Sequence, residues 1–135
     1  MSNRLVLVDS SAWIGYFGGQ SGAVSRALTE LLTQHRVAIN PVIRVELLTG
    51  ALHETQYVEL EDALQGLHLL PVNDTVWKRT ERLRFQLRQA GRLIPVTDVL
   101  IAACALLHGC DLLHQDRHFD AIARTLPLKI FHSVR

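Results

Sequence analysis

Nine consecutive apolar residues, Val99 to Leu107, follow Asp98 and stop just short of Gly109. As a helix this run is apolar on every side, and a helix of that kind belongs in a protein interior. It is also far too short to cross a bilayer, which takes about 20 residues. The chain is therefore expected to be a globular protein built around a buried helix that Thr97 or Asp98 opens and Gly109 closes. No other apolar run is longer, so no membrane association is expected.

The segments around this helix alternate between short apolar runs and amphipathic stretches. Leu5 to Val8, Val37 to Ile39, Leu67 to Val72, Asp111 to Leu113 and Leu128 to Phe131 read as strands. Between them, Ser21 to Gln34, Pro41 to about Gly50, Thr55 to Leu64, Asp74 to Ala90 and Arg117 to Leu126 read as helices, with Asp74 as the cap of the fourth. Strands as short and continuously apolar as Leu5 to Val8 suit a parallel sheet covered on both faces. The expected fold is α/β, a three-layer α/β/α sandwich around a mostly parallel sheet, formed by residues 1–135 as a single domain. Ligands in such sheets sit at the carboxyl ends of the strands.

That rule draws attention to acids in unusual places. Asp9 directly follows the first strand, and Asp116 follows the Asp111 to Leu113 strand. Asp98 opens the buried helix, which places it near the strand ends. Glu46 shares a helix face with Val42 and Ile43, where an ionised carboxylate is unfavourable unless paired or metal-bound. Each acid has a plainer reading. Asp9 and Asp98 suit helix caps, with Thr97 competing for the second, and Glu46 suits a salt bridge to Arg26 or Arg44. Asp120 is expected to face solvent. Jointly, converging carboxylates repel, and a divalent cation with oxygen ligands, Mg²⁺ or Mn²⁺, resolves the repulsion. Such an ion can activate water and clamp a phosphate for hydrolysis.

The ordered set carries a resemblance. Val8-Asp9-Ser10-Ser11-Ala12-Trp13, Ile39-Asn40-Pro41 leading to Val45-Glu46-Leu47, Thr97-Asp98-Val99 and its apolar continuation, and Leu112-Leu113-His114-Gln115-Asp116-Arg117-His118-Phe119 are similar to the four motifs of PIN-domain ribonucleases. Within that superfamily the chain most resembles the VapC-type toxins of bacterial toxin–antitoxin pairs. The resemblance implies a PIN-like α/β/α fold and Mg²⁺- or Mn²⁺-dependent endonucleolytic cleavage of RNA (tRNA, rRNA or mRNA) by metal-activated water. It implies Asp9, Glu46, Asp98 and Asp116 as the catalytic acids. Of these, Asp9, Asp98 and Asp116 would hold the metal, with Glu46 acting directly or through water. It further implies a homodimer silenced by a cognate antitoxin. Two residues depart from the pattern: His118 stands where many relatives have an acid, and His114 where Thr is frequent. Either imidazole can contact metal or phosphate, and the expectation for each is a place behind the ligands or at the surface. Ser11 and His118 are the auxiliary candidates.

Net charge is only +1, which taken alone argues against a nucleic-acid binder. Position alters that reading. Residues 1–73 carry 4 basic and 7 acidic side chains, and residues 74–135 carry 10 basic and 6 acidic. The excess is concentrated between Lys78 and Arg92, so Lys78, Arg82 and Arg88, with Arg117 beside Asp116, are the candidate contacts to an RNA backbone. Cys104 and Cys110 fit neither a disulfide framework nor a zinc site. Together with the lack of a visible secretory signal, they suggest a cytoplasmic protein. Trp13 reads as core, and Tyr16 and Phe17 as core or partner surface.

Two other readings belong to different classes. A receiver-like phosphoacceptor module would want paired acids after the first strand and an Asp at the end of the third, where this chain has Ser10 and Val72-Asn73. A non-catalytic PIN-like scaffold would not need all four acids.

Overall fold

A computed structural model describes residues 4–132 and contains four strands and seven helices among them. In chain order these are β1 (Val6–Val8), α1 (Ser10–Phe17), α2 (Ala23–Thr33), β2 (Val37–Ile39), α3 (Pro41–Thr49) and α4 (Glu54–Leu64). They are followed by β3 (His68–Leu69), α5 (Asp74–Gln89), α6 (Val96–Leu107), β4 (Asp111–Leu113) and α7 (Arg117–Thr125). The strands form one parallel sheet in the order β3-β2-β1-β4, the expected α/β arrangement. Both central strands, β1 and β2, are buried along their whole length, as their continuous apolar character requires.

The buried helix is where the sequence placed it. Asp98 through Ala105 are all buried, and α6 packs against α5, α7 and β4. Leu100 and Ile101 meet Leu7, Ile39, Ile43, Leu112 and Phe119 in one continuous core. At the exit of α6, Gly109 adopts φ +66°, a left-handed turn that glycine enters without a side-chain clash. Trp13 is buried, as expected, with its ring stacked on Phe17 at 5.5 Å.

Several boundaries differ from the sequence reading. The C-terminal segment Leu128 to Phe131 forms only a single parallel bridge, Ile130 to Leu112, so it is no full strand. Lys129 faces solvent, and Ile130 and Phe131 are only partly buried against the core, so the pairing stops at one residue. The third strand shrinks to the exposed pair His68–Leu69, because Pro71 lacks an N–H to continue an edge ladder. Asn73, not Asp74, caps α5, its Oδ1 accepting from the Val76 N–H at 3.2 Å. Asp74 sits in the first turn, where its charge still suits the helix dipole. Neither Thr97 nor Asp98 opens α6, which begins at Val96 after Pro95 and has no side-chain cap.

The strand order fixes where a ligand can sit. From β1 the chain moves outward through β2 and β3, then returns to place β4 on the other side of β1. The direction of winding therefore reverses between β1 and β4, and a crevice opens at their carboxyl ends. The residues that follow those two strands include Asp9 and Asp116.

Candidate functional site

Asp9 caps α1 immediately after β1. Its Oδ2 accepts from the backbone N–H of Ser11 at 3.0 Å and from the Ser11 hydroxyl at 2.6 Å. The same hydroxyl accepts from the backbone N–H of Gln115 at 2.9 Å. Ser11 thus ties the end of β1 to the loop between β4 and α7. On that loop Asp116 caps α7, its Oδ1 accepting from the His118 N–H at 2.9 Å. The backbone N–H of Asp116 in turn donates to Nδ1 of His114 at 3.0 Å. His114 is buried with its ring against Phe119, the centroids 5.2 Å apart. Burial holds the His114 imidazole below the usual histidine range, against the opposing pull of Asp120, Asp9 and Asp116.

Asp98 projects from the first turn of α6, buried and near the positive end of the helix dipole. Its Oδ2 lies 2.8 Å from Nδ1 of His118, which is also 3.3 Å from Asp116 Oδ1. Glu46 reaches in from α3, a helix started by Asn40, whose Oδ1 accepts from the Ile43 N–H at 2.9 Å. Glu46 Oε1 accepts from the Ser10 hydroxyl at 3.1 Å. Among the described residues neither Arg26 nor Arg44 forms an ion pair with it, which removes the salt-bridge reading. Arg26 instead donates to the carbonyl of Ser21.

The acids sense one another. Burial raises the Glu46 carboxyl above the usual carboxylate range; the Ser10 hydrogen bond lowers it, and the charges of Asp9, Asp98 and Asp116 raise it further. Asp98 is raised in the same way, by burial first and then by Asp116 and Asp9, against the lowering effect of His118. A fixed cation in the crevice would reverse both shifts. Asp98, Asp116 and His118 offer ligand atoms within 4.8 Å of one another. An octahedral divalent ion with ligands at about 2.1 Å has neighbouring ligand atoms about 3 Å apart, so the 2.8 and 3.3 Å spacings fit one.

A PIN-domain family model matches residues 6–125, which include all of these acids. The chain belongs to the PIN-domain family. Among PIN-domain relatives, a VapC ribonuclease of Mycobacterium bovis is 33% identical over 129 residues, covering 93% of this chain and 96% of the relative. Ribonuclease VapC18 of Mycobacterium tuberculosis is 30% identical, covering 86% of this chain and 85% of the relative. In solved structures the same fold occurs in VapBC2 of Rickettsia felis, with a TM-score of 0.78, 19% identity and coverage of 94% and 97% of the two chains. FitAcB of Neisseria gonorrhoeae gives a TM-score of 0.75 at 20% identity, covering 95% and 97%.

Seen as a PIN domain, the site brings the auxiliary candidate His118 against two of its acids. His118 was expected behind the ligands or at the surface; its side chain is half-exposed and its ring nitrogen stands between Asp98 and Asp116. His114 does lie behind the acids, but buried, where it orients Asp116 through the backbone. Asp120 is exposed, as expected, although its Oδ1 approaches His114 Nε2 at 3.4 Å without hydrogen-bond alignment. Lys78, Arg82, Arg88 and Arg117 are all exposed, and Arg82 rests over the Phe85 ring at 5.7 Å. Arg84 is committed elsewhere, donating to the carbonyl of Ile94 at 2.8 Å. A groove lined by Val42, Val45, Glu46, Trp77 and Thr97 leads from the acids toward α5.

Proposed function

We propose that this PIN domain is a metal-dependent endoribonuclease and the toxin of a toxin–antitoxin pair. The observation that carries the reading is the convergence of Asp98, Asp116, Glu46 and Asp9 on the strand-end crevice, with the first two held close enough to share one ion. The ribonuclease names of its relatives support RNA as substrate. When bound, Mg²⁺ or Mn²⁺ would supply Lewis-acid polarisation of the scissile phosphate and activation of water.

The chain's own residues divide the remaining work. Asp98 and Asp116 would hold the ion, with Asp9 presenting its second oxygen while Ser11 fixes the first. Glu46, oriented by Ser10, would complete the acidic wall directly or through water. Lys78, Arg82 and Arg88 on α5, with Arg117 at the start of α7, would hold the RNA backbone away from the cut. No side-chain nucleophile is needed.

An antitoxin partner is supported by structural neighbours that are toxin–antitoxin complexes, from Klebsiella pneumoniae and Mycobacterium tuberculosis among others. A homodimer acting in the cytoplasm belongs to the same reading. The phosphoacceptor alternative has no favourable observation, since β3 ends in an exposed edge followed by Leu70-Pro71-Val72 and brings no acid to the crevice.

The test is cleavage of a structured RNA by the purified chain, freed of any partner, in Mg²⁺ or Mn²⁺ and again in excess chelator. Cleavage with either ion and none in chelator is expected. Equal cleavage in chelator would overturn the metal mechanism.

A further inference from the structure

We propose that His118 is itself a ligand of the divalent cation, through Nδ1, and that this makes the site prefer Mn²⁺ to Mg²⁺. The inference rests on the metal-dependent reading above and extends it to the identity of the ion.

Geometry comes first. Nδ1 of His118 lies 2.8 Å from Asp98 Oδ2 and 3.3 Å from Asp116 Oδ1. These are the separations of neighbouring ligand atoms around one small cation, roughly 3 Å for bonds near 2.1 Å. The nitrogen therefore already occupies a third ligand position between two carboxylates. Its location is fixed from two sides. The His118 backbone N–H is bonded to Asp116 Oδ1, which anchors the residue in the first turn of α7, and α6 brings Asp98 to the other side of the ring.

Without a cation, an Nδ1 proton can bridge the two carboxylates and reduce their repulsion. With a cation, the neutral tautomer carrying its proton on Nε2 presents the Nδ1 lone pair instead. The side chain is 38% exposed, and Nε2 has no protein partner among the described residues, so an Nε2 proton can be hydrated.

Chemistry then sets the preference. Mg²⁺ is a hard ion that favours oxygen and keeps its waters, whereas Mn²⁺, though the weakest nitrogen binder of the first-row series and also at home among oxygens, accepts an imidazole more readily than Mg²⁺ does. An imidazole in place of an acid removes one negative charge and supplies one nitrogen. The first change weakens the pull on any hard cation, and the second strengthens bonding to Mn²⁺ more than to Mg²⁺.

The experiment uses the full chain without RNA, so turnover plays no part in the readout. Mn²⁺ is added, and pulsed electron paramagnetic resonance detects coupling of the electron spin to a directly bonded ¹⁴N. Titration calorimetry gives the Mn²⁺ and Mg²⁺ affinities in parallel. Wild type is expected to show the nitrogen coupling and to bind Mn²⁺ about tenfold or more tightly than Mg²⁺. His118→Asn should lose the coupling, and His118→Asp should bind both ions with a ratio several-fold closer to one. Circular dichroism confirms that each variant is folded. Mn²⁺ binding without nitrogen coupling, or coupling that survives in His118→Asn, would overturn the ligand assignment while leaving the metal reading standing. An unchanged affinity ratio in His118→Asp would overturn the preference. Failure of wild type to bind Mn²⁺ at all would overturn both inference and reading.

Discussion

Replacing Ser11 with Ala tests how the crevice is held together. The Ser11 hydroxyl donates to Asp9 Oδ2 at 2.6 Å and accepts from the Gln115 N–H at 2.9 Å, joining segments 104 residues apart. A hydrogen bond to a charged group contributes about 1.5–3 kcal/mol and a neutral one about 0.5–1.5 kcal/mol. Ser11 is half-buried and Gln115 is exposed, so water can replace part of what is lost. The expected destabilisation is therefore near the lower end, about 2 kcal/mol. The Ser11 backbone N–H still donates to Asp9, so α1 keeps its cap and the loss belongs to the hydroxyl alone. For a domain of this size that corresponds to a fall in Tm of roughly 5–8 °C. Urea unfolding should show a lower midpoint with an unchanged slope. RNA cleavage should fall more than stability does, because Asp9 and the loop carrying Asp116 lose their common anchor. Ser11→Thr, which retains the hydroxyl, should recover most of both. A Ser11→Ala protein within about 0.5 kcal/mol of wild type and fully active would refute the claim that this hydroxyl organises the site.

Further outcomes follow from burial and charge. Glu46→Gln keeps an acceptor for Ser10 but removes a carboxyl whose folded-state pKa is raised above the unfolded value of 4.5. A raised group favours the fold below its unfolded pKa and loses that contribution as pH rises through the folded one. Glu46→Gln should therefore raise the Tm of the metal-free protein at neutral pH and give no gain below pH 4.5, as thermal melts in chelator would show. Leu100→Ala, at a residue only 1% exposed at the centre of α6, should cost about 3 kcal/mol in denaturant unfolding. Arg82→Glu with Arg88→Glu should leave stability within about 0.5 kcal/mol, since both side chains are exposed. If both contact phosphate, the double variant should weaken RNA binding and lower the slope of log affinity against log salt by roughly 1.4. An unchanged slope would exclude them.

The acids could be read from the sequence because strand ends and helix caps coincide in a parallel α/β fold. At Asp9 the two readings are compatible, and the structure shows Asp116 to be a cap as well. The cap of α1 occupies Oδ2 of Asp9 and leaves Oδ1 for the crevice, whereas Oδ1 of Asp116 accepts the α7 cap bond and also lies 3.3 Å from His118 Nδ1. Glu46 was legible through its apolar face, although its partner is Ser10, 36 residues away, and no arginine. His118 was legible only as an auxiliary candidate. Its relation to Asp98 depends on how α6 and α7 pack, and no local pattern encodes that across 20 residues. The overextended last strand has a similar origin. Leu128 to Phe131 has the composition of a strand, but only one bridge to β4 forms. The α6 start was missed because Pro95, which offers no side-chain cap, precedes a helix that begins before Asp98.

The central claim is that the carboxylates gathered where β1 and β4 end, Asp98 of α6 among them, hydrolyse RNA by holding a divalent ion. Single-turnover cleavage by wild type and by Asp98→Asn in saturating Mn²⁺ tests it most directly, with a thermal melt to show that the variant is folded. Loss of several kcal/mol of transition-state stabilisation predicts a rate at least about 10³-fold lower in the folded variant. A folded Asp98→Asn protein that cleaves RNA at the wild-type rate would contradict the account.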